Sequence, residues 1–129
     1  MNSRGFTFVE LLVTVTIVAV LAAVGMVSYG SASVKSRDTR RMTDIESIRS
    51  ALELYRTDVG NYPDLTVNGV SGCLEQTSIT SPSNTYLNPV PFDPKNTSTY
   101  CYKYTRPTTT TYTITCAFES GDPCSYANP

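Results

Sequence analysis

Leu11-Leu12-Val13-Thr14-Val15-Thr16-Ile17-Val18-Ala19-Val20-Leu21-Ala22-Ala23-Val24 opens a run with no charged residue that continues to Val34, 24 positions in all. A helix needs about 20 apolar residues to cross a bilayer. The run also exceeds the ~7–15-residue apolar region of a secretory signal. It therefore predicts a membrane-spanning helix, with Thr14, Thr16, Ser28, Tyr29 and the small Gly25 and Gly30 among its polar or flexible interruptions. Beyond it, from Lys35 to Asp58, the pattern becomes amphipathic. Met42, Ile45, Ile48, Leu52, Tyr55 and Val59 recur every three or four residues, the spacing of one helix face. Arg40, Arg41, Asp44, Glu46, Arg49, Glu53 and Arg56 fall largely elsewhere. No proline precedes Pro63, and Gly60-Asn61-Tyr62-Pro63 is a helix stop. The reading is one helix of about fifty residues, roughly 75 Å long.

Residues 60–129 must cover the amphipathic half. Pro, Gly, Asn, Ser and Thr dominate as far as Ser98, predicting an ordered loop with short elements at most. Tyr100-Cys101-Tyr102-Lys103-Tyr104 and Tyr112-Thr113-Ile114-Thr115-Cys116-Ala117-Phe118 then alternate around Arg106-Pro107-Thr108, an antiparallel hairpin. An isolated hairpin is marginal in water. Laid over the Ile45–Tyr55 stripe, it gives both faces a partner. The expected fold is α+β: a long N-terminal helix packed on a small antiparallel β head.

The chain has 129 residues, 10 Lys plus Arg against 11 Asp plus Glu, a net charge of -1, and neither His nor Trp. Without His there is no Ser-His-Asp or Cys-His catalysis and no His-containing zinc site. The balanced charge argues against a dedicated nucleic-acid binder. The head offers no nucleophile–base pair, phosphate loop or paired catalytic carboxylates, so no enzyme activity is expected. Lys35, Arg37, Arg40 and Arg41 read as a solvated face paired with Asp38 and Asp44. Asn96-Thr97-Ser98 is a formal glycosylation sequon, a pattern short enough to arise by chance.

Cys73, Cys101, Cys116 and Cys124 form no C-x-x-C pair and fit two structural disulfides in an oxidising compartment. Of the three connectivities, Cys73–Cys101 with Cys116–Cys124 is favoured, tying the loop to a strand and stapling the tail. The positive-inside rule points the other way. Lys35, Arg37, Arg40 and Arg41 follow the apolar run while only Arg4 precedes it, a bias that places the head in the cytoplasm.

The junction before the run is Arg4-Gly5-Phe6-Thr7-Phe8-Val9-Glu10-Leu11-Leu12. It resembles the processing signature of type IV prepilins and type II secretion pseudopilins. Ala51-Leu52-Glu53-Leu54-Tyr55-Arg56-Thr57-Asp58-Val59-Gly60-Asn61-Tyr62-Pro63 is similar to the helix end of major pseudopilins. Pro91-Phe92-Asp93-Pro94-Lys95-Asn96 is similar to their Asp-Pro loop, although the usual Trp-Gly after it is missing.

The resemblance implies that residues 1–5 are a leader, removed between Gly5 and Phe6 by a membrane prepilin peptidase, with N-methylation of Phe6. Residues 6–34 would then be the transmembrane and filament-core helix, 35–59 its amphipathic half, and 60–129 the head. It further implies a single-pass precursor in the inner membrane with the head outside the cytoplasm, against the positive-inside count. Glu10, a costly charge in an apolar helix, would pair with the Phe6 amine of a neighbouring copy. Both groups would be desolvated, so mispairing is penalised and the axial register selected.

The leading expectation is thus a structural subunit of an extracellular type IV pilus-like homopolymer, served indirectly by an assembly platform and a motor ATPase. The alternative is the major pseudopilin of a periplasmic type II secretion pseudopilus, and a third reading is a membrane-anchored binding domain. No cofactor is expected. Asp64, Asp93 and Asp122 are the weak calcium candidates, since some pseudopilin heads bind calcium. Many pilins carry a helix proline where the filament helix melts. Here only Gly25 and Gly30 are soft, and partial unwinding is expected over Gly25–Ser33.

Overall fold

The computed structural model describes residues 5–65, 73–74 and 78–128. The chain divides into two units, Met1–Val34 and Lys35–Pro129. One helix, α1, runs from Phe8 to Val59 over 52 residues. It is unbroken through Gly25–Ser33, so the unwinding expected there is absent from this chain. Gly25 and Gly30 lower helix propensity but keep their N–H donors, whereas a proline would have removed one.

In the first unit the large apolar side chains from Phe8 to Met26 stand open to the surroundings. The helix is long and apolar enough to cross a membrane. The polar side chains of the run close on their own backbone: Thr14 Oγ1 donates to the Leu11 carbonyl and Thr16 Oγ1 to that of Val13, both at 2.8 Å. Ser31 Oγ reaches the Ser28 carbonyl at 3.2 Å. An unpaired hydroxyl would be expensive in hydrocarbon, and these are paired.

The second unit holds the rest of α1 and two antiparallel sheets. Strands β1 (Ile79–Thr80) and β2 (Thr85–Leu87) make a short hairpin inside the segment expected to be loop. Strands β3 (Lys103–Thr108), β4 (Thr111–Ala117) and β5 (Pro123–Ala127) form a three-stranded sheet in that order. The expected hairpin is β3–β4, with Tyr104 opposite Ile114 and Thr105 opposite Thr113. It starts at Lys103 rather than Tyr100 and gains β5, which places Cys124 opposite Cys116. Helix α1 ends at Gly60, whose φ of +86° is a conformation that disfavours any side chain.

Ile45, Ile48, Ala51 and Leu52 of α1 pack against Tyr62, Leu74, Ile79, Val90, Tyr102, Tyr104, Tyr112 and Ile114. The buried face differs from the expected stripe at its ends. Met42 is 54% exposed and Val59 42%, whereas Arg41 is fully buried. The inward line is Arg41, Ile45, Ile48, Leu52, Tyr55, and Met42 lies about 100° round the helix from Arg41. Tyrosines let this core bury rings while their hydroxyls find partners. Tyr102 Oη donates to Asp44 Oδ2 and Tyr104 Oη to the Pro63 carbonyl, both at 2.8 Å. Burial pushes both phenols well above their ordinary pKa. The Tyr62 and Tyr112 rings meet edge to face at 4.6 Å.

Candidate processing and assembly site

The junction is built by a helix cap. Thr7 precedes the first helical residue, and Glu10 stands three positions on. The Thr7 backbone N–H and Oγ1 donate to Glu10 Oε2 at 2.9 and 2.7 Å, and the Glu10 N–H returns to Thr7 Oγ1 at 3.3 Å. This is a reciprocal capping box, which satisfies donors that a helix start otherwise leaves open. Glu10 thus has a partner within its own chain, Thr7, besides the neighbour's amine expected from the sequence; the Thr-x-x-Glu spacing is its signal. Both Thr7 bonds land on Oε2, which leaves Oε1 for a further donor.

Phe6, on the N-terminal side of the cap, is 76% exposed, and a Cβ built on Gly5 would meet nothing within 4 Å. Whatever requires glycine at position 5 is therefore not the fold of the chain. The Gly5–Phe6 bond lies in an accessible, non-helical segment that continues to Thr7.

In the head, the basic cluster is only partly a solvated face: Lys35 and Arg40 are exposed and Arg40 lies near Asp44, but Arg37 is half-buried and Arg41 fully buried. Arg41 grips Asp93 with two bonds, Nε to Oδ2 at 2.7 Å and Nη2 to Oδ1 at 2.9 Å, and neither side chain has any exposure. Its Nη1 reaches Asp38 Oδ1 at 2.6 Å and Glu119 Oε1 at 3.0 Å. Arg37 holds Glu119 bidentately at 2.6 and 2.7 Å, and Lys95 adds a third cation at 2.8 Å. Asp38 accepts the backbone N–H groups of Glu119 and Ser120. Three cations meet three anions, so a buried charge that would otherwise be costly is neutralised. Arg37, then Lys95, hold the Glu119 carboxyl far below its ordinary range. The expected pairing with Asp38 is present, but the Asp93 and Glu119 partners lie 52 and 78 residues from Arg41 and could not be read from helix spacing.

The calcium candidates are dispersed. Asp93 belongs to Arg41, Asp64 pairs with Arg106 Nη2 at 3.0 Å, and Asp122 accepts from Ser120 Oγ at 3.2 Å. Among the described residues no group of three acidic or Cys side chains is placed to hold a metal. The four cysteines are paired Cys73–Cys101, with Cα atoms 5.7 Å apart, and Cys116–Cys124, 5.0 Å apart. Asn96 of the sequon is exposed and adopts φ +44°, a turn conformation that asparagine tolerates.

Comparison with known proteins places two matches on this geometry. A family described as "Type II secretion system (T2SS), protein G" matches residues 28–124, and the prokaryotic N-terminal methylation motif matches residues 1–26. The type II secretion system core protein G of Pectobacterium carotovorum subsp. carotovorum is 29% identical over 101 residues, covering 74% of this chain and 64% of that protein. Its namesake from Pseudomonas aeruginosa is 32% identical over 98 residues, covering 72% and 68%. That of Escherichia coli K12 is 31% identical over 62 residues, covering 48% and 43%. The chain thus spans 64% and 68% of the length of the first two relatives. No solved structure matches it.

Proposed function

The chain belongs to the type II secretion system protein G family, and from that premise we propose that it is a structural subunit of a secretion pseudopilus, held in the membrane by its apolar helix before assembly. The match of residues 28–124 to the protein G family carries this reading. It favours the secretion pseudopilus over the extracellular pilus that ranked first from the sequence. The methylation motif over residues 1–26 supports cleavage between Gly5 and Phe6 and methylation of the new amine. The head then lies on the outer side of the inner membrane, in the compartment where disulfides persist.

The capping box gives Glu10 its part in assembly. In the uncut chain Glu10 Oε2 is held by Thr7. After cleavage, Oε1 receives the Phe6 amine of a neighbouring copy while Oε2 keeps the cap, so ion pairing does not unravel the helix start. An apolar surrounding penalises any stagger that leaves either charge alone. The exposed Val, Leu and Ile side chains of the first unit supply the packing between copies.

The mass of the N-terminal peptide of membrane-derived protein tests this. A peptide starting at Phe6, with one added methyl, is expected, and an intact Met1 overturns processing. Surface shear fractions separate the two machines: a pseudopilus subunit stays with the cells, and abundant recovery in the sheared material returns the pilus reading.

A further inference from the structure

Helix α1 starts at Phe8, and the backbone from Gly5 to Thr7 before it is not helical. Backbone N–H and C=O groups outside a helix are excluded from lipid, so the hydrocarbon begins no earlier than Phe8. Glu10 then sits within one turn of the inner edge, where a charge costs less than at the bilayer centre. The charge-free run ends only at Val34, 26 residues beyond Phe8, or about 39 Å of helix at ~1.5 Å per residue. Fitting that length into a hydrocarbon core of ~30 Å takes a tilt near 40°, the extreme of what such helices show. Phe8 to Tyr29 is 21 residues, about 32 Å, and fits at the average tilt of ~20°.

A second observation, independent of length, picks the same level. Thr14 and Thr16 donate their hydroxyls to their own backbone. Ser28 and Tyr29 carry the first hydroxyls of the run that have no partner among the described residues, and Tyr29 is 77% exposed. An open hydroxyl is costly in hydrocarbon and welcome at the interface, where tyrosine concentrates. Beyond it come Gly30-Ser31-Ala32-Ser33-Val34. The polar layer on each side of the core is about 5–8 Å thick, the rise of these five residues.

We propose that before assembly the hydrocarbon ends at Tyr29, whose ring anchors the helix at the outer interface, and that Gly30–Val34 lies among the lipid head groups. Lys35 brings the first charge to the outer edge of that layer. The boundary rests on the membrane-held subunit read above and sharpens it. Extraction into a filament then has to draw Phe8–Tyr29 out of hydrocarbon, rather than the whole charge-free run.

The four cysteines are paired, so a single introduced thiol reports its own surroundings. In spheroplasts lacking the assembly motor, where the full chain stays in the bilayer, a membrane-impermeant maleimide is applied to Val18→Cys, Val24→Cys, Ala32→Cys and Val34→Cys. Rates are scaled to Glu46→Cys, on the exposed side of the head's helix. Ala32→Cys and Val34→Cys are expected to react at least tenfold faster than Val18→Cys and Val24→Cys. Adding Tyr29→Leu should slow Ala32→Cys at least threefold, as the apolar stretch lengthens. Protection of Ala32→Cys and Val34→Cys equal to that of Val24→Cys overturns the boundary, and an unchanged Ala32→Cys rate with Tyr29→Leu overturns the anchor; either leaves the membrane-held reading standing. Reaction of Val18→Cys and Val24→Cys as fast as Glu46→Cys, or no reaction of Glu46→Cys, overturns the boundary and that reading together.

Discussion

Arg41 and Asp93 face each other through two parallel hydrogen bonds at 2.7 and 2.9 Å with both side chains fully buried. The pair joins the first turns of the head's helix to the Asp93-Pro94 loop. Removing one partner from such a pair leaves a charge that the interior cannot solvate.

Arg41→Leu is therefore expected to destabilise the head by about 3–5 kcal/mol, and Asp93→Leu to do similar damage. The double variant should lose less than the sum of the two, because each single leaves the other ion orphaned. Some loss persists, since Arg41 also neutralises Asp38 and Glu119. Chemical denaturation of the full chain in detergent measures all three.

Acid should unfold the head through the same cluster. Arg37, Lys95 and Arg41 depress the Glu119 carboxyl. Asp38 is also depressed: burial works against its ionisation, but the Glu119 N–H and Arg41 outweigh it. A carboxylate with a lowered folded-state pKa stabilises the fold above its unfolded value of about 4 and loses that contribution as the pH falls further. Stability should be level from pH 7 to about 5 and decline below about 4. Denaturation midpoints across that range give the curve, and Glu119→Gln should flatten its acid limb.

Alkali acts on the tyrosines with the opposite sense. Burial, then Asp44, raises the Tyr102 phenol, and burial raises Tyr104. A phenol that keeps its proton longer in the folded chain costs no stability below its unfolded value of about 10 and destabilises progressively above it. Tyr102→Phe should lessen the loss above that pH, followed by tyrosinate absorbance during denaturation.

The two disulfides should contribute unequally. Their sequence separations are 28 for Cys73–Cys101 and 8 for Cys116–Cys124. Loop-closure entropy gives about 3.6 and about 2.5 kcal/mol respectively. Paired Cys→Ser variants, compared by denaturation midpoint, should lose more at the first bridge.

Tyr62 is buried, and its hydroxyl is a hub. It donates to Glu53 Oε1 at 2.9 Å and accepts from Arg56 Nη1 and Asn128 Nδ2 at 3.0 Å each. Tyr62→Phe keeps the ring contact with Tyr112 but strips these bonds, at an expected cost of about 1–3 kcal/mol. The same exchange at Tyr104, with its single bond to the Pro63 carbonyl, should cost about 1 kcal/mol. Thermal melts of both variants order them.

The helix and the β3–β4 hairpin were legible because each rests on a local pattern: a charge-free run, a three-four spacing, an alternation of tyrosines and threonines. Strand β5 was not, since Pro123-Cys124-Ser125-Tyr126-Ala127 is short and begins with a residue that strands use at their ends. Arg41 misled more deeply. Among Lys35, Arg37 and Arg40 it reads as solvated, and only its place four residues before Ile45 on the inward line gives it away. Its partners Asp93 and Glu119 come from distant loops, and the spacing of one element carries no information about them.

Arg37 and Glu119 lie 82 residues apart, and the bond between them closes the head across almost its whole length. A chain delivered in order from its N-terminus holds Arg37 and Arg41 long before their anions arrive, and lacks Tyr112, Ile114 and Cys124 until near the end. A partly delivered head lacks the anions and the strands that complete its core. Such long-range closure makes folding slow and late, and a segment that cannot fold early stays threadable until its last strand is through.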